Sequence, residues 1–177
     1  MIRNNTSLES VGQLEFRRTM GCFATGVAVV TTLDDGVPRG LTVNSVTSVS
    51  LNPPLLLVCV DHTSESYNGF LTGQVFAVNF LAVDQMDVSK RFAMKTAGKF
   101  TGLHYRSGVT GSPILTDIVA FIECALEAHY PAGDHTIFVG RVVACEVYGG
   151  REPLLFYQGK YSRMERMALP ITYLYGG

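Results

Sequence analysis

The chain is poor in charge and carries no excess of either sign. Of its 177 residues 16% are charged, the net charge is -1 and the pI is about 6.4. A protein that grips nucleic acid through a basic face needs many lysines and arginines against phosphate, so that class of partner is not expected. The four cysteines, Cys22, Cys59, Cys124 and Cys145, include no C-x-x-C pair. Neither a zinc knuckle nor a thioredoxin-like site is therefore suggested. Cys59 and Cys124 lie inside apolar runs, where a free thiol packs as a small hydrophobe. No apolar run is long enough to span a bilayer, and the N-terminus lacks the basic-then-apolar signal pattern. These absences predict a cytoplasmic protein with no membrane partner. No G-x-G-x-x-G follows a strand and no G-x-S-x-G elbow is present, which leaves a Rossmann site and a hydrolase triad unsupported.

What is present is apolar bulk, 47% of the residues. A chain of this length forms one domain most economically and buries roughly 70% of its unfolded surface without staples. High apolar content beside few charges hints at an oligomer that hides apolar surface. The most unusual stretch runs from Arg39 to Asp61, RGLTVNSVTSVSLNPPLLLVCVD. Gly40 to Ser50 reads as a strand, Asn52-Pro53-Pro54 as a rigid corner, and Leu55 to Val60 as a buried strand. The first strand carries Thr42, Asn44, Ser45, Thr47, Ser48 and Ser50 beside Leu41, Val43, Val46 and Val49. Such side chains donate and accept hydrogen bonds without net charge, which suits a heteroaromatic edge, a polyol or a phosphate. A half-exposed strand with a wet hydroxyl face fits the pattern as well.

Taken in order, residues 1–9 are polar. Ser10-Val11-Gly12-Gln13 fits a capping box, and Phe16, Met20 and Phe23 recur at helical spacing up to a stop at Gly26. That stripe reads as core packing. Val27 to Leu33 is a strand and Asp35-Gly36 a hairpin turn. A short helix starts near Ser64, which is either a plain N-cap or part of an anion site. Val75 to Leu81 is a strand. Asp84 caps a helix to about Met94, with Val88 and Phe92 inward. Lys95 to Ser112 reads as a mobile loop, functional or disordered. Along Val119 to Tyr130 the alternation sets Ile122, Cys124, Leu126 and Ala128 against Glu123, Ala125, Glu127 and His129. Pro131 to Asp134 turns the chain, His135 to Tyr148 runs back, and Leu154 to Tyr157 adds a strand. Roughly seven strands joined mostly by hairpins, with two or three short helices, predict a mainly β fold, a closed antiparallel barrel with peripheral helices.

No acid–base pair or nucleophile stands out. His129 and His135 flank one turn and could face each other as two metal ligands, or be incidental to a tyrosine-rich hairpin. In Gly133-Asp134-His135 the aspartate can orient the imidazole toward a ligand at a strand mouth. Several short motifs then occur in one order. They are TVNSVTSVSLNPP, Cys59-Val60-Asp61, Ser64 with Ser66, Lys90-Arg91-Phe92, Gly133-Asp134-His135 with Gly140, and Tyr157-x-Gly-x-Tyr161.

That order, from about Phe16 to Met164, resembles the short-chain flavin reductases, the reductase components of two-component flavin-dependent monooxygenases. The part from Ala93 through Lys99-Phe100 to His135 looks especially like reductases paired with oxygenases of aromatic-compound and polyketide pathways. The resemblance implies an FMN-binding type of Greek-key split barrel over residues 16–164. Residues 1–15 would form an arm and helix start, and 165–177 a tail without a counterpart. It implies a homodimer, FMN or FAD as cofactor, NADH or NADPH as co-substrate, and an oxygenase partner. It places Thr42, Asn44, Ser45, Val46, Thr47 and Ser48 on the flavin, and Cys59, Val60 and Asp61 beside the isoalloxazine through their backbone. Ser64, Ser66, Lys90, Arg91 and Phe92 would sit near the phosphate, although a solvated helix face also accounts for Lys90 and Arg91. His135 would contact the nicotinamide nucleotide and Tyr161 would close over it. Hydride transfer from nicotinamide to flavin needs no protein nucleophile, which agrees with the missing triad. A flavoprotein oxidase with tightly held flavin, or a non-catalytic flavin- or haem-binding module, would share such a fold.

Overall fold

A computed structural model of the protein describes residues 10–165. The polar arm, 1–9, and the tail from 166 onward lie outside the described residues. In chain order the elements are α1 (Gln13–Gly21), β1 (Thr25–Gly26), β2 (Ala28–Asp34), β3 (Val37–Val43), β4 (Val46–Leu51), β5 (Pro54–Asp61), α2 (Tyr67–Gly73), β6 (Val75–Phe80) and α3 (Met86–Ala93). There follow β7 (Tyr105–Ser107), β8 (Pro113–Leu115), β9 (Ala120–Ala132), β10 (His135–Val147), β11 (Leu155–Tyr157) and β12 (Lys160–Ser162).

Seven strands form one antiparallel sheet in the order β3-β2-β6-β9-β10-β5-β4. The hairpin at Asp35-Gly36 forms because both residues take positive φ, 50° and 78°, matching the strand twist. The sheet has a core on each face. Val30, Val58, Val60, Phe70, Phe76, Val78 and Phe138 pack on one side, and Val29, Ala77, Leu81, Phe92, Ile114 and Phe121 on the other. Alternate residues of β2 and β6 therefore feed two cores, which explains their nearly unbroken apolar sequences.

The barrel is split, not closed as hairpin counting suggested. Gly40 to Ser50 is not one strand: β3 pairs with β2, whereas β4 pairs with β5. Only Asn44-Ser45 joins them, yet they are the two edges of the sheet. Ser45 finishes the ladder at this break. Its Oγ donates to the Cys59 carbonyl at 3.1 Å and accepts the Cys59 N–H at 3.2 Å.

Other local expectations are corrected. Helix α1 has Gly12 as N-cap with no side-chain cap bond, so the capping box does not form, and it ends at Gly21, short of Gly26. None of its residues is buried, so its apolar stripe is not core packing. α2 starts at Tyr67, after Ser66, and not at Ser64. Gln85, not Asp84, is the N-cap of α3, and Asp84 instead accepts a hydrogen bond from Arg151 at 3.2 Å. His129 lies opposite Phe138 and His135 opposite Ala132, so the two histidines do not face each other.

The parity along β9 holds to Leu126, but a bulge at Glu127 reverses it, so that His129 packs on Phe138 of the core; nor is the polar side of the first half all wet. Glu123 is fully buried, because β8 and residues 108–112 cover that face. Its carboxylate accepts the Val109 N–H at 3.0 Å, the Thr110 N–H at 2.9 Å and the Thr110 hydroxyl at 2.7 Å. A Cβ on Gly108 would collide with that carboxylate, so the close approach requires glycine. Far from being loose throughout, 95–112 is pinned at this end and pairs β7 with β8.

Candidate functional site

Three cavities lie beside β3 and the bend that follows it. Val37 to Gly40 line one, Leu41 and Thr42 the next, and Asn44 the third. Leu41 and Val43 also pack against the core.

The largest cavity, about 910 Å³, opens at the split. Its polar wall is Asn44 to Ser48, and its apolar wall includes Met20, Phe23, Ala28, Phe80 and Phe156. Asn44, Thr47 and Ser48 make no side-chain hydrogen bond among the described residues, so their polar groups remain available to a ligand. Ser45 does not, since its hydroxyl is committed to Cys59. Val46 pairs with Val58 and packs on the inner core. Thr25 Oγ1 is buried without a partner and lines the same cavity. A buried orphan hydroxyl beside a row of neutral donors and acceptors fits a planar heteroaromatic ligand with polar edges.

The second cavity, about 210 Å³, is lined by Thr42, Asp61, Thr63, Ser64, Phe92, Lys95 and Lys99 among others. Thr42 Oγ1 donates to the Ser89 carbonyl at 2.7 Å, which ties β3 to α3. The Asp61 carboxylate accepts the Thr63 N–H at 2.7 Å and the Thr63 hydroxyl at 2.8 Å, and these bonds hold its pKa below the usual carboxylate range. Ser64 Oγ accepts the Ser66 N–H, and buried Ser66 donates to the Gly40 carbonyl at 2.9 Å. Phe92 is buried, with its ring edge-on to Phe100 at 5.0 Å.

The cations at this cavity differ from those the sequence suggested. Lys90 is paired with Asp87 at 3.6 Å on the exposed side of α3, and Arg91 donates to the Thr101 carbonyl. Neither lines the cavity. Lys95 and Lys99 do, and neither is in an ion pair among the described residues. Lys95 Nζ donates to Thr63 Oγ1 at 2.8 Å. Lys99 Nζ donates to the Gly40 and Phe92 carbonyls at 3.2 and 3.1 Å, and its partial burial lowers its pKa. Two ammonium groups beside hydroxyls, neither held in an ion pair, suit a phosphate, although the Asp61 and Glu65 carboxylates act on them electrostatically. Glu65 also borders the opening.

His135 sits at the mouth of the sheet, where it is in register with Asp61. Its Nδ1 lies 2.7 Å from the Asp134 carboxylate, which lowers the Asp134 pKa. The turn is clamped to β5, because the His62 N–H donates to the Asp134 carbonyl at 3.1 Å. Val60 is in the core and Cys59 half-buried, and the Cys59 N–H and carbonyl are both bonded to Ser45 Oγ; burial raises the Cys59 thiol pKa. Tyr161 OH meets Ser89 Oγ at 2.9 Å, linking β12 to the helix that holds Thr42. The site is thus a neutral polar slot, next to it a pocket with two lysines and two carboxylates, and an imidazole at the strand mouth, with no group of metal ligands among the described residues.

Comparison with known proteins shows the family. Residues 20–165 match the family described as flavin reductase like domain. The reductase subunit HsaB of a flavin-dependent monooxygenase from Rhodococcus jostii is 40% identical over 157 residues, covering 89% of this chain and 80% of that protein. A flavin reductase from Pseudomonas putida is 45% identical over 147 residues, covering 82% of this chain and 86% of its own length. Among solved structures, the NADH:FAD oxidoreductase SgcE6 of Streptomyces globisporus superposes with a TM-score of 0.83 at 37% identity, covering 90% of this chain and 99% of that one. A match across nearly the whole described barrel, its open seam included, makes this chain a member of the flavin reductase like domain family.

Proposed function

We propose that the protein is an NAD(P)H:flavin oxidoreductase that hands reduced flavin to a separate oxygenase. The observation that carries this reading is the slot at the split: about 910 Å³, with polar side chains free along one wall and an apolar wall opposite. When bound there, the flavin supplies the hydride chemistry, accepting a hydride from the nicotinamide. The chain's own residues bind and orient. Asn44, Thr47 and Ser48 hold the polar edge, and Thr25 offers its orphan hydroxyl. Lys95 and Lys99 hold the phosphate, with Ser64 beside it. His135, steadied by Asp134, contacts the nicotinamide nucleotide, and Tyr161 borders it. Such alignment of two reactants contributes about 7–11 kcal/mol to lowering the barrier. The catalytic unit is residues 16–164.

The test is steady-state NADH oxidation by the purified protein. Turnover that requires added free flavin, and rises with it to saturation, supports a reductase that exchanges flavin. Oxidation at the full rate with no added flavin would point to a tightly held cofactor and the oxidase alternative.

The functional form is a homodimer. α1 and the segment after it expose Leu14, Phe16, Met20 and Phe23 by 65%, 57%, 50% and 67%. Apolar side chains at helical spacing that no other described residue covers suit a second copy. Sedimentation should give twice the 19.3 kDa chain mass. A monomer at micromolar concentration would rule this out.

A further inference from the structure

The slot at the split is neutral except at one place. Among the described residues that line it, Arg17 alone carries a charge. Its walls otherwise offer hydroxyls, an amide and apolar groups, and Lys95 and Lys99 belong to the other cavity. Arg17 is exposed, and among the described residues no ion pair or hydrogen bond occupies its guanidinium. We propose that Arg17 is the charge-stabilising residue of hydride transfer, its guanidinium set against the flavin ring to offset the negative charge that the step creates. This inference rests on the reading of the slot as the flavin site.

Placement supports it first. Arg17, Met20 and Gly21 stand at i, i+3 and i+4, so they share one face of α1, and all three line the slot. That face is held in place. The Gln158 N–H donates to the Gly21 carbonyl at 2.9 Å, which ties the end of α1 to the turn between β11 and β12, and Gly159 of the same turn also lines the slot. Availability is the second support, because a guanidinium carries five donors and Arg17 spends none on a described partner. The third is the chemistry of the step. Hydride transfer breaks a C–H bond of the dihydronicotinamide and forms an N–H bond on the flavin with the same electron pair. One positive charge appears on the nicotinamide and one negative charge on the flavin ring. Neutral hydroxyls and amides serve the ring in both redox forms, whereas a fixed cation favours the form that carries the new charge. A ring that fills the slot also displaces water, and charges attract more strongly where water is excluded.

The experiment titrates the full chain with oxidised FMN in air and with dithionite-reduced FMN under nitrogen. Arg17→Met should weaken reduced FMN about tenfold relative to oxidised FMN, as loss of one charge-assisted contact implies. That ratio lowers the midpoint potential of the bound flavin by about 30 mV for a two-electron couple. The single-turnover rate of flavin reduction should fall with it, while the NADH KM stays within twofold. Arg17→Lys keeps the charge and should retain most of the ratio. Arg18→Met removes the same charge one residue on, outside the slot, and should leave the ratio within twofold. Equal loss of both redox forms in Arg17→Met, as a disturbed helix would cause, overturns the proposal. So does an unchanged ratio, whether with unaltered kinetics or with a raised NADH KM that would assign the guanidinium to the nicotinamide nucleotide. Asn44→Ala separates the two levels. If it leaves oxidised FMN affinity unaltered, the slot itself is misread. If it weakens oxidised FMN while Arg17→Met leaves the ratio unchanged, only the role of Arg17 falls.

Discussion

Glu123→Gln should destabilise the fold by about 2–4 kcal/mol, a large loss for an isosteric change. The carboxylate is fully buried and every partner it has is a donor: two backbone N–H groups and one hydroxyl. An amide supplies one acceptor oxygen and one NH₂. Whichever way it is oriented, a donor then faces a donor, and a buried N–H or O–H loses its partner. Alanine in place of Glu123 would strand all three donors and cost more. The consequence reaches the site, because Glu123 fixes one end of the segment whose other end carries Lys95 and Lys99. Urea unfolding at fixed protein concentration is the measurement, with the midpoint falling at constant slope. A change under 0.5 kcal/mol would mean that the loop does not depend on this carboxylate.

Much of this fold is legible as alternation. β2, β6, β9 and β10 can be read from apolar runs, and the β2–β3 turn from Asp35-Gly36, because each signal is local. The break at Asn44-Ser45 cannot be read the same way. Strand-favouring residues continue on both sides of it, so propensity shows one strand where tertiary pairing makes two. Glu123 illustrates a second limit. Its parity is correct, but parity names a face and not what covers that face. The lysines of the second cavity mark a third. Val88, Ser89 and Phe92 face inward on α3, so helical spacing already puts Lys90 and Arg91 on the other side. Lys99 had no period to announce it. It lies in an irregular loop, and only its place beside Phe100 in the ordered motifs touched it. The polar slot itself was visible, because free hydroxyls and amides crowd one stretch without charge.

Lys99→Met should reduce FMN affinity about 10- to 100-fold and leave riboflavin within about threefold, since a charge-assisted hydrogen bond contributes about 1.5–3 kcal/mol. Lys95→Met should show the same selectivity. A double Lys90→Met, Arg91→Met variant should bind both flavins as wild type does, because Lys90 is held by Asp87 and Arg91 by the Thr101 carbonyl. Riboflavin is the internal control, as it lacks only the phosphate. The control matters for Lys99, whose ammonium also links the Gly40 and Phe92 carbonyls, so its loss could disturb the wall. Lys95 touches only the Thr63 hydroxyl and is free of that complication. Lys99→Arg keeps the charge and should retain most of the preference for FMN. The pH dependence has a definite sign. Burial lowers the Lys99 pKa, with Glu65 opposing the shift, and Lys95 and Asp61 face the same pocket. A lysine with a lowered pKa loses its charge at lower pH than an exposed one. The advantage of FMN over riboflavin should therefore be complete near neutrality and decline as pH rises through that lowered pKa, earlier than an ordinary lysine would allow. Fluorescence titration of both flavins against pH measures the ratio, and ionisation of the shared isoalloxazine cancels in it. If Lys90→Met, Arg91→Met abolishes the preference while Lys95→Met and Lys99→Met preserve it, the phosphate lies on the exposed side of α3 and the pocket assignment is wrong.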